Sequence, residues 1–234
     1  LQTSNNERFV RFWFEAMLRE FDIKGDSEGV YKWFQYNKGG GFRKWFGNVE
    51  HVVNWYNSGY EIKNYKNKSG KLISRPQNTI DYFKEGITWT AISSSKMSLR
   101  LQSKGVIFSN AGMAMFPKEN LYYLLGALNT KVLSRLMAVL SPTLNFNAGD
   151  LKRIPVKVEN TESINRLVIS MIKDEKNDWN SRETSWDFNR YELIKHKSQD
   201  LEETYDLFQQ YWKNKFFQLH KNEEELNRQF IEIY

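Results

Sequence analysis

The 234-residue sequence carries 34 Lys and Arg against 28 Asp and Glu, a formal charge of +6, and has no cysteine. Disulfides, thiol nucleophiles and cysteine-based zinc sites are therefore excluded, and His51, His196 and His220 stand too far apart for metal-ligand spacing. No apolar run approaches the ~18–20 residues that span a bilayer, and the start lacks a signal-peptide pattern, so a soluble cytoplasmic protein is expected, and the length suits two domains.

Ser4 followed by Glu7 has the form of a capping box, and Phe9, Val10, Trp13, Phe14, Met17, Leu18 and Phe21 recur at helical spacing. A helix over residues 5–21 is predicted, with Arg8, Arg11, Glu15 and Arg19 on its outer face and Gly25 and Gly29 closing the unit. Residues 32–48 then alternate cations and rings around Gly39, Gly40 and Gly41. Lys38, Arg43 and Lys44 suit phosphate neutralisation, Trp33, Tyr36, Trp45 and Phe46 suit stacking, and the glycines allow close backbone approach. The same residues also suit a glycine turn between two half-buried strands with solvated lysines.

Val49, Val52, Val53, Trp55, Tyr60, Ile62 and Tyr65, interrupted by Gly47, 57–59 and 68–70, predict short strands joined by turns. The lysine-rich tract 64–71 reads as a loop lying along a phosphate backbone or as a solvated hairpin. Next come Arg75, Pro76, Gln77 and Asn78, where the polar side chains match base edges, arginine to guanine and the amides to adenine. Arg75 is equally suited to brace its turn. Lys84 is a further phosphate candidate. A strand over 87–92 runs into Ser93, Ser94, Ser95 and Lys96 and then Arg100, and hydroxyls and cations at a strand end suit phosphate contacts. With no packing duty in view, Ser93 to Lys96 are the better candidates for sequence choice.

Residues 105–108 and 114–116 read as a strand pair, and 119–139 as a core-facing helix interrupted near Asn129. Residues 140–155 read as an extended exit rather than another helix. Beyond Pro155, helices are predicted over 162–176 and 200–221, with Trp179 and Trp186 pinning the 178–188 loop onto the folded body. Residues 222–234 end inside an apparent helix, so a continuation is expected. The whole reads as an α+β chain: a mixed α/β part with short strands and packing helices over 1–155, and a helical part over 156–234.

Charge follows the same division. Residues 1–155 hold 22 Lys and Arg against 12 Asp and Glu, and residues 156–234 hold 12 against 16, giving +10 and −4. Residues 32–104 alone hold 13 basic and 4 acidic residues, a concentration that points to nucleic acid.

Several stretches together resemble a known family: 1–9, 36–40, 42–48, 53–55, 74–78, 83–89, 140–146, 179–188 and 222–227. In order and spacing they are similar to the region downstream of the catalytic domain in PglX-type adenine-specific DNA methyltransferases of bacterial phage-exclusion (BREX) systems. Related type IIG/IIL restriction-methyltransferases look alike. The resemblance implies that residues 1–155 form a target-recognition domain that binds double-stranded DNA, with the helical part bracing it. It also implies an upstream catalytic domain as partner, S-adenosylmethionine as cofactor of the parent protein only, and a parent that in some members also cleaves DNA.

Chemistry within the chain itself is not expected. The four prolines are isolated, so the Pro-Pro-Tyr element that holds a flipped adenine is missing, as is a donor-binding glycine turn with its distal acid. Glu61-Ile62-Lys63 and Asp150-Leu151-Lys152 lack the upstream Pro-Asp partner of a metal-dependent nuclease. The rival classes are a free-standing nucleic-acid-binding protein and a protein-interaction module whose basic face takes an acidic partner.

Overall fold

Short runs of aromatic and β-branched residues pair with distant parts of the chain in this computed structural model, which describes residues 1–22, 30–93, 96–141, 143 and 145–234. The fold is α+β. A four-residue helix α1 (Asn6–Phe9) leads into β1 (Val10–Phe12), β2 (Phe21–Asp22), β3 (Trp33–Asn37) and β4 (His51–Asn54), after which α2 (Tyr56–Lys63) turns the chain back. Then come β5 (Gly86–Thr90), β6 (Leu99–Gln102), β7 (Val106–Phe108) and β8 (Gly112–Met115). Helices α3 (Leu121–Leu128), α4 (Lys131–Leu140), α5 (Ala148–Leu151), α6 (Thr161–Asn180), α7 (Glu192–Lys195) and α8 (Leu201–Ile233) complete the chain.

In the first sheet β4 lies antiparallel between β1 and β3. The free edge of β3 is shared end to end by two parallel strands, β2 against Trp33 and Phe34 and β7 against Gln35 to Asn37. Alternation along the strands sends Phe34, Tyr36 and Val53 into one core with Phe9, Trp55, Ile62 and Ile107. Trp33 and Val52 face the other way, onto Phe21, Trp13 and Trp186. The second sheet is a three-stranded antiparallel set with β5 between β6 and β8.

The helix expected over 5–21 does not form. Asn5, not Ser4, caps α1 by accepting the Arg8 amide at 3.0 Å, while the Ser4 hydroxyl donates to the Ile73 carbonyl. Val10 then leaves the helix to pair with Val53. The bulky and β-branched residues that marked a helix face are also good strand formers, and the sheet outcompetes one turn of helix. Trp13 keeps its inward role, but Phe14, Met17 and Leu18 are exposed. The strands expected through Tyr60 and Ile62 are likewise replaced by α2. The turn at 57–59 is real: Asn57, Ser58 and Gly59 have φ of 49°, 53° and 75°, and a Cβ on Gly59 would stand 2.5 Å from the Trp55 ring. Tract 64–71 is a hairpin, with Asn67 Oδ1 accepting the Ser69 and Lys71 amides.

The expected strand pair of 105–108 with 114–116 is split between the sheets, since β7 joins β3 and β8 joins β5. The interruption near Asn129 is present. Its amide grips the Leu99 backbone from both sides at 3.0 Å, and Thr130 caps α4, so α3 and α4 meet at 73°. The exit over 140–155 includes the short helix α5; Pro142 and Leu144 fall outside the described residues. Helix α8 extends the predicted 200–221 helix to Ile233, and Asp200 caps it by accepting the Glu203 amide at 2.8 Å.

The largest core crosses residue 155. Trp45, Trp89, Tyr123 and Leu125 pack with Ile164, Val168, Leu226 and Phe230 in one cluster. The change at 155 is therefore one of secondary structure within a shared interior. Trp179 is buried and Trp186 packs edge-on against Trp13 and Phe21, as the paired tryptophans suggested. Among the described residues no single helix is long and apolar enough to cross a membrane.

Candidate nucleic-acid interface

The basic, aromatic stretch 32–48 begins inside the first sheet. Trp33, Tyr36, Trp45 and Phe46 are all buried, so none of these rings is available to stack on a base. Asn37, at the end of β3, donates to the Thr88 hydroxyl and, at 3.3 Å, to the Gly112 carbonyl, tying the two sheets together. Gly39 follows with φ of 83°, and a Cβ there would stand 2.9 Å from the Ala111 carbonyl oxygen, so only glycine fits this crossing.

Arg43 and Lys44 then turn inward. The Arg43 guanidinium pairs with Glu175 at 2.9 Å and Asp178 at 2.5 Å, donates from Nε to the Phe46 carbonyl at 2.8 Å, and lies over Trp179 at 5.1 Å. Lys44 pairs with Glu223 at 3.0 Å, and the same carboxylate accepts the Trp45 indole N–H at 2.8 Å. These two cations, expected to neutralise phosphates, instead fasten the glycine loop to α6 and α8. The acidic tail of the sequence supplies their partners. Burial pushes the Glu175 carboxyl up to about 7 against the opposing pull of Arg43.

Arg100 is fully buried. It donates from Nη1 to the Arg43 carbonyl at 3.2 Å and from Nη2 to the Thr90 hydroxyl at 3.3 Å, while its Nε finds no acceptor among the described residues. Desolvation, followed by repulsion from Arg43, lowers its pKa to about 10, so it remains cationic at neutral pH. It does not reach the surface where a strand-end cation was expected.

The other candidates fall into two places. At the ends of β3 and β5, four segments converge: Ala91 donates to the Ala111 carbonyl at 2.8 Å, the Thr90 hydroxyl to the Gly40 carbonyl at 2.9 Å, and Phe146 to the Ala91 carbonyl at 2.8 Å. This rim carries Lys38, Gly40, Gly41 and Ser93. Exposed Lys96 lies just beyond it in sequence; Ser94 and Ser95 lie outside the described residues. Lys38 makes no ion pair among the described residues, and its charge joins burial in lowering the His51 pKa. Lys38 also shares a cleft with Gln2, whose backbone pairs with that of exposed Arg75 at 2.8 and 3.1 Å. Gln77 and Asn78 are exposed beyond it. Lys84 is at the opposite end of β5 and is paired with Asp81 at 2.8 Å.

Over its whole length the chain is 35% identical to Adenine-specific methyltransferase PglX of Lacticaseibacillus casei (strain Zhang). The chain belongs to the PglX type. It is also 39% identical, over 193 residues and 81% of its length, to Adenine-specific methyltransferase BrxX of Escherichia coli O9:H4 (strain HS). It spans 20% of the first relative and 15% of the second. No family model matches it.

In this PglX-type chain the rim also holds residues that the sequence reading passed over. Asn110, Asn145 and Asn147 line one cleft with Ile92, which is 71% exposed. Their signal was present as asparagines in turn segments, but only the folded chain sets Asn110 both in a cleft with Lys38 and in one with Asn145 and Asn147. Amides of this kind offer a donor and an acceptor together, the chemistry that reads an adenine edge.

Proposed function

We propose that this PglX-type chain is the DNA-recognition segment of an adenine-specific DNA methyltransferase of a phage-defence system, acting in the cytoplasm. The observation that carries the proposal is the full-length match to a protein named as an adenine-specific methyltransferase, and the cation- and asparagine-bearing rim is what supports a DNA-facing role within it. Lys38 contacts phosphates of double-stranded DNA, and Arg75 reads a base edge or braces its turn. Ser93 to Lys96, Asn110, Asn145, Asn147, Gln77 and Asn78 are the base-reading candidates. Arg43, Lys44 and Arg100 hold the glycine loop in place, with Lys84 apart from the rim.

The remainder of the parent protein supplies methyl transfer to a flipped adenine. Its donor, S-adenosylmethionine, does not fit the residues here. Although β3 runs into three glycines, no helix follows them; the chain goes on to a bridge between Trp45 and Arg100 and then to β4. The strand–glycine–helix cradle for such a nucleotide is not formed. The helical part over 156–234 braces the recognition part, as its ion pairs to Arg43 and Lys44 support.

Duplex binding across a salt series is the first test: log affinity should fall steeply with log salt, by about 0.9 per phosphate contact. Binding indifferent to salt would sink the proposal. In the full-length protein, replacing residues 90–96 should change or relax the methylated sequence. An unchanged methylated motif with full activity would place base reading elsewhere.

A further inference from the structure

A buried guanidinium normally has a carboxylate beside it, because an unpaired charge taken out of water costs several kcal/mol. Arg100 makes no ion pair among the described residues, and the charge that acts on it is another cation, Arg43. It lies directly beneath the glycine loop, bonded to the Arg43 carbonyl and to Thr90, whose hydroxyl in turn holds the Gly40 carbonyl.

In the loop above, three carbonyls are occupied, Gly40 by Thr90, Gly41 by Asn48 at 3.0 Å and Arg43 by Arg100. The amides of Gly40, Gly41 and Phe42 donate to no acceptor among the described residues, and all three residues are exposed. Unbonded donors on exposed residues thus sit on a loop held by a buried positive charge, while Arg43 and Lys44 are already paired with Glu175, Asp178 and Glu223. That combination is an anion seat of the backbone-amide kind.

We propose that the Gly40, Gly41 and Phe42 amides, biased by the Arg100 guanidinium beneath them, bind a phosphodiester oxygen of DNA. Arg100 is a positioning residue that acts through the loop without touching the ligand. The inference rests on the DNA-recognition reading for the identity of the anion.

The test follows the amide resonances of Gly40, Gly41 and Phe42 in the 15N-labelled 234-residue chain. Inorganic phosphate and, separately, a short duplex should shift these amides saturably. Arg100→Met should weaken phosphate about tenfold, and Arg100→Lys, which keeps the charge, should retain most of it. A duplex that binds without moving these amides overturns the inference and leaves the DNA reading standing. A duplex that does not bind, while phosphate still shifts the amides, removes the DNA reading and with it the assignment of the anion to DNA. Phosphate affinity unchanged in folded Arg100→Met overturns the role of Arg100. Should Arg100→Met fail to fold, the two wild-type titrations decide the site.

Discussion

Arg43→Ala separates a bracing arginine from a DNA-contacting one. The wild-type side chain is only 15% exposed and engages two carboxylates, two carbonyls and the Trp179 face. Removing one partner of a buried pair costs about 3–5 kcal/mol when the other charge is stranded. Here the stranding is incomplete. Asp178 keeps Arg182 at 3.1 Å, and Glu175, already pushed up to about 7, neutralises itself by taking a proton. The expected loss is therefore about 2–3 kcal/mol, which for a chain of this size lowers Tm by about 5–10 °C. Urea and thermal unfolding measure it, alongside duplex affinity at several salt concentrations under folding conditions. The salt slope should stay at its wild-type value, since the charge of Arg43 is already neutralised within the chain. A Tm within a degree or two of wild type together with a slope reduced by about 0.9 would refute the bracing argument and return Arg43 to the phosphates.

Lys38→Ala should show the reverse pattern, a salt slope smaller by about one unit with Tm unchanged; an unaltered slope would mark Lys38 as merely solvated. Trp186→Ala removes edge contacts at 5.3 Å from Trp13 and 4.6 Å from Phe21, and should cost about 2 kcal/mol, seen as a lower urea midpoint with no change in salt slope. Glu175 gives a pH signature. Its folded pKa of about 7 lies above the ordinary 4.5, so the folded state holds the proton longer, and the stability it confers is full below about 4.5 and lost as pH rises through about 7. Glu175→Gln should flatten urea midpoints measured between pH 5 and 7.5; a slope equal to wild type would show that another group titrates.

Local pattern predicted what local physics controls. The β5 strand, the break at Asn129, the helices after Pro155 and the tryptophan-pinned loop all follow from periodicity, capping and ring content over a few residues. What failed depended on distant partners. Phe9, Val10 and Trp13 satisfy a helical face and a strand equally well, and only β4, some forty residues on, decides between them. β7 and β8 are near in sequence, yet β3 and β5 claim them separately. The same blindness affected the site. Arg43 and Lys44 look like free cations until Glu175, Asp178 and Glu223 fold onto them, and Arg100 looks like a strand-end contact until both of its neighbouring segments close over it. The division of charge at residue 155 was a clue to such pairing, since unlike halves of one chain attract.

A core that runs through residue 155 also sets how variants of this protein can be assembled. Exchange of everything before that point between two relatives would strip Trp45, Trp89 and Leu125 of Ile164, Val168 and Phe230, and each hybrid would have to repack a foreign interior. Asn110, Asn145 and Asn147, exposed on the rim, can instead be varied singly against a fixed scaffold, provided Gly39, Thr90, Ala91 and Phe146 are kept. The unit of exchange is thus a single rim position, and variants built from such exchanges retain the shared interior intact.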